Sequence, residues 1–433
     1  MTRPLRRTAA FSLVSLLSFG AVVIGAATAL PFLAVAAAAS LLSEGRLFAV
    51  FATHRDRDEE SLYTLIAFSL TGAGLALLIP TIGLPVTVFV ATMLAVGFGD
   101  LGRRLVLEVL ESRVAGVAGF VALGLGAALA GQVVVASVSG GDPMTPAVLF
   151  LAASAALLGG LLRSVFPHRD DPLVLLSVAL ALWLLAGLPV TAGWIRVAVA
   201  AGIAAVFGYL SYALDTASIP GMLTGVLLSL LAVVLGGYGW FAVLMAFFAI
   251  GGLSTKYRYE AKLERGVAEP NEGARGSGNV LGNSLPALVA LVLFAAHARV
   301  PLPAGAFALA FAGSVATALA DTLSSEIGGL FDRPRLVTTL RPTEPGTDGA
   351  ITWQGELAGL AGATIIAALT IGLFGYRPAV GGVVIAAGFT GMTADSLAGA
   401  TIEGGLIGNQ TVNFLATSVG ALTGGLFYLL AFA

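Results

Sequence analysis

Apolar runs long enough to cross a bilayer as α-helices, roughly 17 to 25 residues each, recur from one end of the chain to the other. About fifteen can be distinguished, at residues 9–26, 28–43, 61–79, 82–98, 114–137, 146–163, 172–190, 194–210, 219–235, 238–253, 280–297, 303–320, 350–372, 376–393 and 411–432. These runs do not show the alternation over roughly ten residues that marks a membrane strand. Because backbone groups in lipid must be hydrogen-bonded within the protein, the sequence predicts an all-α, polytopic membrane protein.

The composition supports this class and excludes several kinds of site. Hydrophobic residues make up 58% of the chain and charged residues 11%, against about 25% charged residues in ordinary soluble domains. The absence of cysteine excludes disulfides, thiolate nucleophiles and cysteine-ligated metals. The three histidines are scattered over different loops and form no metal-binding pattern. A net charge of −2 gives no reason to expect a nucleic-acid partner.

Long charged loops alternate with short neutral ones such as TALP, TIGLP and GGYG, which predicts helices arranged as hairpins. Of the 22 Lys and Arg residues, only Arg196, Arg299 and Arg377 fall in the second set of loops. The positive-inside rule therefore places the charged loops and the N-terminus in the cytoplasm of a multi-pass cell-membrane protein. The basic MTRPLRR before the first run is interpreted as the flank of a signal anchor, with a cleaved signal peptide as the alternative.

The acidic residues follow the same partition, since only Asp142 of the 24 Asp and Glu residues lies clearly on the other side. An acidic bias is not part of the topology rule and favours a shared cytoplasmic site for a charged, soluble substrate. The alternative is that charged loops simply carry both signs of charge, and it is preferred for the loops at 44–60 and 163–171.

The loop at 254–279, STKYRYEAKLERGVAEPNEGARGSGN, carries Lys256, Lys262 and Arg275 beside a glycine-rich end. Basic side chains and closely approaching backbone N–H groups can bind a phosphate or a nucleotide, and this role is predicted for the three residues. GARGSG does not follow a strand, so neither a dinucleotide fingerprint nor a P-loop is present. The alternative is a solvated helix stabilised by Lys256 and Glu260, which are four residues apart.

Two apolar runs end in similar sequences, ADTLSSEIGG at 320–329 and ADSLAGATIEGG at 394–405. Ionisable residues within membrane segments are costly and usually functional. Asp321, Glu326 and Asp395 are therefore predicted to be catalytic Mg²⁺ ligands, because Mg²⁺ is usually held by one or two carboxylates together with substrate phosphates. Glu326 lies about 140° around the helix from Asp321, so both can reach one ion only if the helix ends or bends there. Simple helix caps are the alternative.

Groups suited to binding phosphate follow both aspartates. Arg335 lies in a basic stretch after the first aspartate. Three residues of the tight turn PGTDG are predicted to contribute to phosphate binding: Gly346, Thr347 and Gly349. After the second aspartate, Asn409 and Asn413 are one helical turn apart, and Asn409 is predicted to contact phosphate. These two amides could instead hydrogen-bond between helices.

The segments STKYRYEAKLERGVAEPNEGARGSGNVLGN, ADTLSSEIGGL, PGTDGAITWQGELAG, TADSLAGATIEG and NFLATSVGAL resemble, in order and spacing, the integral-membrane family catalogued as domain of unknown function 92. That family includes transmembrane protein 19 and the plant phytyl-phosphate kinase. The resemblance covers roughly residues 199–433. It implies phosphoryl transfer from a nucleoside triphosphate, CTP or ATP, with Mg²⁺, to an isoprenyl monophosphate of the phytyl or geranylgeranyl type.

The first half resembles CTP-dependent polyprenol kinases and phosphatidate cytidylyltransferases more faintly. In those proteins an apolar helix ends in G-D-x-x-A-x-x-x-G. Here Gly99 and Asp100 are kept, but Gly102-Arg103-Arg104 replaces the small residues and the closing glycines are missing. We therefore expect two membrane domains, residues 1–198 as a degenerate, structural partner and residues 199–433 as the kinase-like domain.

Two other functions are compatible with these motifs. A secondary transporter would use Asp321 and Asp395 as coupling-ion sites in broken helices, and it would place polar residues near the bilayer midplane with access from both faces. A noncatalytic scaffold or lipid-binding partner is the third possibility. The gathering of charge on one face favours the kinase, whose expected partners are membrane lipid, an isoprenoid phosphate and a nucleoside triphosphate.

Overall fold

The computed structural model describes residues 2–166, 171–214, 217–268, 276–403 and 407–432. The protein is 80% helical, and within these residues thirteen helical segments are long and apolar enough to cross a membrane. The prediction of an all-α, polytopic membrane protein is confirmed. Two segments explain why thirteen spans replace fifteen runs. The first two runs form one helical stretch, Pro4–Ser40, and the run at 172–190 forms a shorter helix, Asp171–Ala186.

The chain divides into two compact units, residues 1–201 and 202–433, and the division falls within the helix Trp194–Ala213. Unit 1 contains α1 (Arg3–Ser15), α2 (Ala21–Ile24), α3 (Ala29–Ser40), α4 (Gly45–Phe51), α5 (His54–Asp58), α6 (Tyr63–Ile82), α7 (Val86–Leu107), α8 (Arg113–Val138), α9 (Pro146–Val165), α10 (Asp171–Ala186) and the start of α11 (Trp194–Ala213). Short 3₁₀ turns, Leu16–Gly20 and Gly25–Thr28, interrupt the first stretch. The backbone departs from helical geometry there, since Gly25 has a φ of +53°, and Gly20 lies close to Thr28.

A buried ion cluster links three helices of unit 1. Arg163 on α9 donates to Asp100 on α7, with an Nε–Oδ2 distance of 3.1 Å, and it also pairs with Asp171 on α10. The side chains of Arg163 and Asp171 are almost fully buried, and that of Asp100 is mostly so. Asp100 is the acidic residue that the sequence analysis matched to the polyprenol-kinase pattern. Its carboxylate is engaged by an arginine of its own unit.

Unit 2 surrounds one buried helix, α16. The elements of this unit are α12 (Ile219–Leu231), a π-helical turn (Ala232–Gly236), α13 (Tyr238–Lys256), α14 (Tyr259–Glu264), α15 (Ser277–Ala295), a 3₁₀ turn (His297–Arg299), α16 (Ala304–Gly328), β1 (Arg335–Leu336), β2 (Ala350–Ile351), α17 (Trp353–Phe374), α18 (Pro378–Ile402) and α19 (Asn409–Ala431). Helices α13, α15, α17, α18 and α19 all pack against α16. Its continuous apolar sequence is explained by this burial on all sides.

Small residues bring α18 and α19 very close to α16. A Cβ at Gly391 or at Gly420 would lie 2.2 or 2.0 Å from the hydroxyl oxygen of Thr317. That hydroxyl donates to the carbonyl of Gly313, one turn earlier, and lies 3.2 Å from the carbonyl of Ala387 on α18. Close backbone approach through small residues is typical of helices in membranes. It fixes the ends of α16 and α18 side by side.

Candidate functional site

A cavity of about 430 Å³ lies in unit 2, where α16 and α18 end and α15 and α19 begin. Its walls come from these four helices, the segment after α14 and the loop between α16 and α17. The polar residues that line it are Asn279, Asn283, Asp321, Thr322, Ser324, Ser325, Glu326, Thr347, Asp348, Thr352, Asp395, Ser396, Glu403, Asn409 and Asn413. A mostly polar cavity at the ends of apolar helices suits a charged substrate.

The two aspartates of the near-repeat meet in this cavity. Asp321 lies in α16 and Asp395 in α18, and the two carboxyl groups are within hydrogen-bonding reach of each other. Asp395 Oδ1 is buried and has no hydrogen-bond partner among the described residues. A buried carboxylate oxygen without a partner is costly unless a ligand satisfies it. Both helices continue through their aspartate without a break.

The loop between α16 and α17 folds over the same cavity. Arg335 and Leu336 of β1 pair in antiparallel fashion with Ile351 and Ala350 of β2. Gly349, with a φ of +75°, packs so closely on α18 that a Cβ there would lie 2.6 Å from a backbone oxygen of that helix. This contact brings the turn 345–349 to the cavity, and Gly346, Thr347, Asp348 and Gly349 all line it.

Glu403, directly after α18, adds a further carboxylate to the lining. Burial, followed by the nearby carboxylates of Asp348 and Asp395, raises the pKa of Glu403 above its ordinary value. Sequence analysis did not select Asp348 or Glu403 as site residues. Asp348 lies in the turn motif PGTDG and Glu403 in the acidic segment ADSLAGATIEGG, so both could have been selected from the sequence.

The predicted third metal ligand, Glu326, lines the cavity but has another partner. Its carboxylate pairs with Lys262, whose side chain is 1% exposed. Lys262 Nζ also donates to the carbonyls of Ser254 and Thr255, at 2.7 and 3.1 Å, so its three protons are all engaged. The structure therefore does not place Glu326 with the aspartates as a free third carboxylate. Among the described residues, no three carboxylate or imidazole groups are arranged to hold a metal.

The other predicted phosphate-binding cations are not in the lining of the cavity. Lys256 Nζ donates to the carbonyl of Leu214 at 2.7 Å, and Arg335 Nη1 donates to the carbonyl of Leu340 at 2.7 Å. Arg275 lies outside the described residues. In the part of the chain that the structure describes, the lining contains five carboxylates and no Lys or Arg. We therefore find no geometric support for Lys256, Lys262 or Arg335 as direct phosphate ligands.

Four asparagines from α15 and α19 form a further part of the cavity lining, the asparagine wall. Asn279 and Asn283 lie one turn apart on α15, and Asn409 and Asn413 lie one turn apart on α19. The two helices are in direct contact, because Thr417 Oγ1 lies 3.2 Å from the carbonyl of Gly282. Asn409 was predicted, whereas the α15 pair was not. Asn279 and Asn283 are four residues apart, as Asn409 and Asn413 are, and this spacing could have identified the α15 pair from the sequence.

Comparison with known proteins assigns the family of this unit. The family described as integral membrane protein DUF92 matches residues 202–421, which contain the whole cavity. An uncharacterised membrane protein of Methanocaldococcus jannaschii is 39% identical over 201 residues, 44% of this chain and 77% of the relative. An uncharacterised membrane protein of Synechocystis is 33% identical over 193 residues, 42% of this chain and 72% of the relative.

A plant protein also matches. Protein VTE6, chloroplastic, of Arabidopsis thaliana is 30% identical over 191 residues, 43% of this chain and 57% of the relative. No solved structure matches the chain. Since the family match spans half of the chain and includes every described residue of the cavity, the protein belongs to the DUF92 family of integral membrane proteins.

Proposed function

We propose that unit 2 transfers a phosphoryl group from a nucleoside triphosphate to a prenyl monophosphate of the phytyl or geranylgeranyl type. The observation that carries the proposal is the meeting of Asp321 and Asp395 in one polar cavity at the ends of apolar helices. The match to VTE6 and the resemblance to a family that includes the phytyl-phosphate kinase support the choice of substrate. A soluble nucleotide and a lipid anchored in the membrane can both reach such a position.

The carboxylates of this cavity fit a Mg²⁺ ion. Asp321 and Asp395 supply two carboxylates close together, and Asp395 Oδ1 has no hydrogen-bond partner among the described residues. Mg²⁺ is usually held by one or two carboxylates plus substrate phosphates, so two protein ligands are enough. Bound there, Mg²⁺ would supply neutralisation of the charge on the phosphoryl oxygens.

The loop residues are suited to hold the phosphates in place. The peptide N–H groups of Asp348 and Gly349 donate no hydrogen bond to the described residues, and we propose that they bind phosphate oxygens. Thr347 Oγ1 instead donates to the carbonyl of Glu344 at 2.8 Å, which stabilises the turn itself. Phosphoryl transfer depends mainly on positioning and charge neutralisation, and a rigid turn provides the first of these.

The acceptor explains why no general base is required. An alkyl monophosphate has a second pKa of about 6 and is therefore mostly dianionic at neutral pH. It can attack without losing a proton to the protein, whereas an alcohol acceptor would need a base. No histidine lines the described part of the cavity, and its two paired aspartates are the groups assigned to the cation.

The test uses the full-length protein in nanodiscs. Geranylgeranyl monophosphate or phytyl monophosphate is supplied with MgCl₂ and either CTP or ATP, and the lipid diphosphate is measured. We expect diphosphate from the wild-type protein and loss of product with Asp321→Asn. Asp142→Asn, which changes an exposed aspartate of unit 1, is the matched control and should retain activity. Absence of product with every donor, from folded wild-type protein, would contradict the proposal.

A further inference from the structure

The described cavity lining has carboxylates but no cationic side chain that could bind the phosphate of an acceptor. We infer that the phosphate monoester of the lipid acceptor binds at the asparagine wall, held by the amides of Asn279, Asn283, Asn409 and Asn413 and by the N-termini of α15 and α19. This inference rests on the proposed function and names the group that recognises the acceptor.

The first argument is the state of the amides. Asn413 is only 9% exposed and lines the cavity, yet its side chain makes no hydrogen bond with the described residues. Asn283 is also buried, and its Nδ2 donates to the carbonyl of Asn279, while its second Nδ2 proton has no acceptor among the described residues. Amide groups that line a cavity and make no hydrogen bond within the protein are available to a ligand. A ligand with several strong acceptor oxygens would satisfy the donors on this wall.

The second argument is the position of two helix N-termini. Helix α15 begins after Gly276 and α19 after Gly408, and neither glycine supplies a capping side chain. The first N–H groups of a helix have no acceptor within the helix, and together with the helix dipole they favour an anion. Asn279 and Asn409 lie in these first turns, so the free N–H groups and the amides are on the same wall.

The third argument distinguishes the lipid acceptor from the nucleotide. Leu281 and Leu285 on α15 and Phe414 and Leu415 on α19 are exposed apolar side chains within the two membrane-spanning helices that carry the asparagines. A prenyl chain can therefore lie in lipid along these two helices while its phosphate reaches the amides near their N-terminal ends. Amide donors also carry no full charge, so they lower the nucleophilicity of the phosphate less than Lys or Arg would. The more highly charged triphosphate is suited to the carboxylate side, where the cation would bind.

The test measures binding rather than turnover. Radiolabelled geranylgeranyl monophosphate is titrated into full-length protein in nanodiscs without nucleotide, with geranylgeraniol and inorganic phosphate as competitors. Asn413→Leu and Asn283→Leu should each weaken binding of the monophosphate by about tenfold, because each removes a hydrogen bond to a charged group. Gln354→Leu, which replaces an amide of α17 that does not line the cavity, is the matched control. Mn²⁺ affinity should be unchanged in all three variants.

Each other outcome has a defined meaning. Unchanged affinity in both asparagine variants overturns the inference, as does loss of Mn²⁺ affinity, which would make the amides cation ligands. Equal competition by geranylgeraniol shows that the prenyl tail alone binds, and it also overturns the inference. Strong competition by inorganic phosphate supports an amide site for a free phosphate rather than for a lipid. Failure of the wild-type protein to bind the monophosphate counts against the inference as well.

If the monophosphate binds but no diphosphate forms, the amide site stands and the proposed function fails. Thermal melting identifies a misfolded variant, and the other asparagine variant then decides.

Discussion

The carboxyl groups of Asp321 and Asp395 lie within hydrogen-bonding reach of each other, although 74 residues separate them along the chain. They belong to two helices whose close packing through Thr317 and Gly391 leaves them no room to separate. Two ionised carboxylates at this distance repel each other, and a cation or a shared proton relieves the repulsion. The pair is therefore expected to be unfavourable for the empty protein and favourable for a cation-bound one.

Asp395→Asn tests this balance. The substitution removes one of two carboxylates, so Mn²⁺ affinity should fall by at least about tenfold. The melting temperature without metal should not fall, since a repulsion is removed. Electron paramagnetic resonance of Mn²⁺ and thermal melts with and without metal measure the two effects. Lower stability without metal, combined with unchanged Mn²⁺ affinity, would show that Asp395 is structural.

Lys262→Met tests the buried ion pair. The substitution leaves the Glu326 carboxylate without its cation, and breaking one side of a buried pair costs about 3–5 kcal/mol of unfolding free energy. Adding Glu326→Gln should recover part of this loss. Lys256→Met is the control, because that lysine is exposed and, among the described residues, bonds to the carbonyl of Leu214. Denaturant unfolding in detergent measures the change. A stable Lys262→Met protein that has lost phosphate binding would restore the predicted role of Lys262.

Glu403 predicts opposite pH effects on stability and on metal binding. Its folded-state pKa is raised above the ordinary value of 4.5, so the folded protein binds more protons than the unfolded chain between the two values. Without metal, stability should therefore decrease as the pH rises through this interval, while Mn²⁺ affinity should increase as the carboxylate ionises. Glu403→Gln should flatten both curves. Melting temperature measures the stability and Mn²⁺ titration measures the affinity, both between about pH 4 and about pH 7.

Three features could be predicted from the sequence, because each depends on a local pattern. They are the membrane class, the positions of most helices and the assignment of Asp321 and Asp395 to one site. Apolar runs of helix length predict membrane-spanning helices. The repeated ADTL and ADSL sequences predict two equivalent helix ends. Both α16 and α18 continue through their aspartates, unlike the broken helices that the transporter alternative expects. The roles of these residues and the cytoplasmic position of the N-terminus stay predictions.

What could not be predicted depends on contacts between distant segments. Lys262 was assigned to phosphate from the charge of its loop, but its partner Glu326 is 64 residues away and is identified only by the fold. Asn279 and Asn283 resemble ordinary polar residues of α15 until the packing against α19 places them in the cavity. A sequence pattern shows which groups are present, and tertiary packing decides which of them remain free to bind.

The last prediction compares two glycines of one turn. Gly346 and Gly349 both have positive φ, so alanine at either costs about 1–2 kcal/mol of backbone strain. A Cβ at Gly346 would meet only ordinary contacts, the nearest at 3.4 Å, whereas at Gly349 it would meet Ala400 at 2.5 Å and a backbone oxygen at 2.6 Å. Gly349→Ala should therefore displace the turn from α18 and reduce diphosphate formation and Mn²⁺ affinity well below those of Gly346→Ala. Equal losses in both variants would mean that backbone strain alone matters and that the contact with α18 does not position the site.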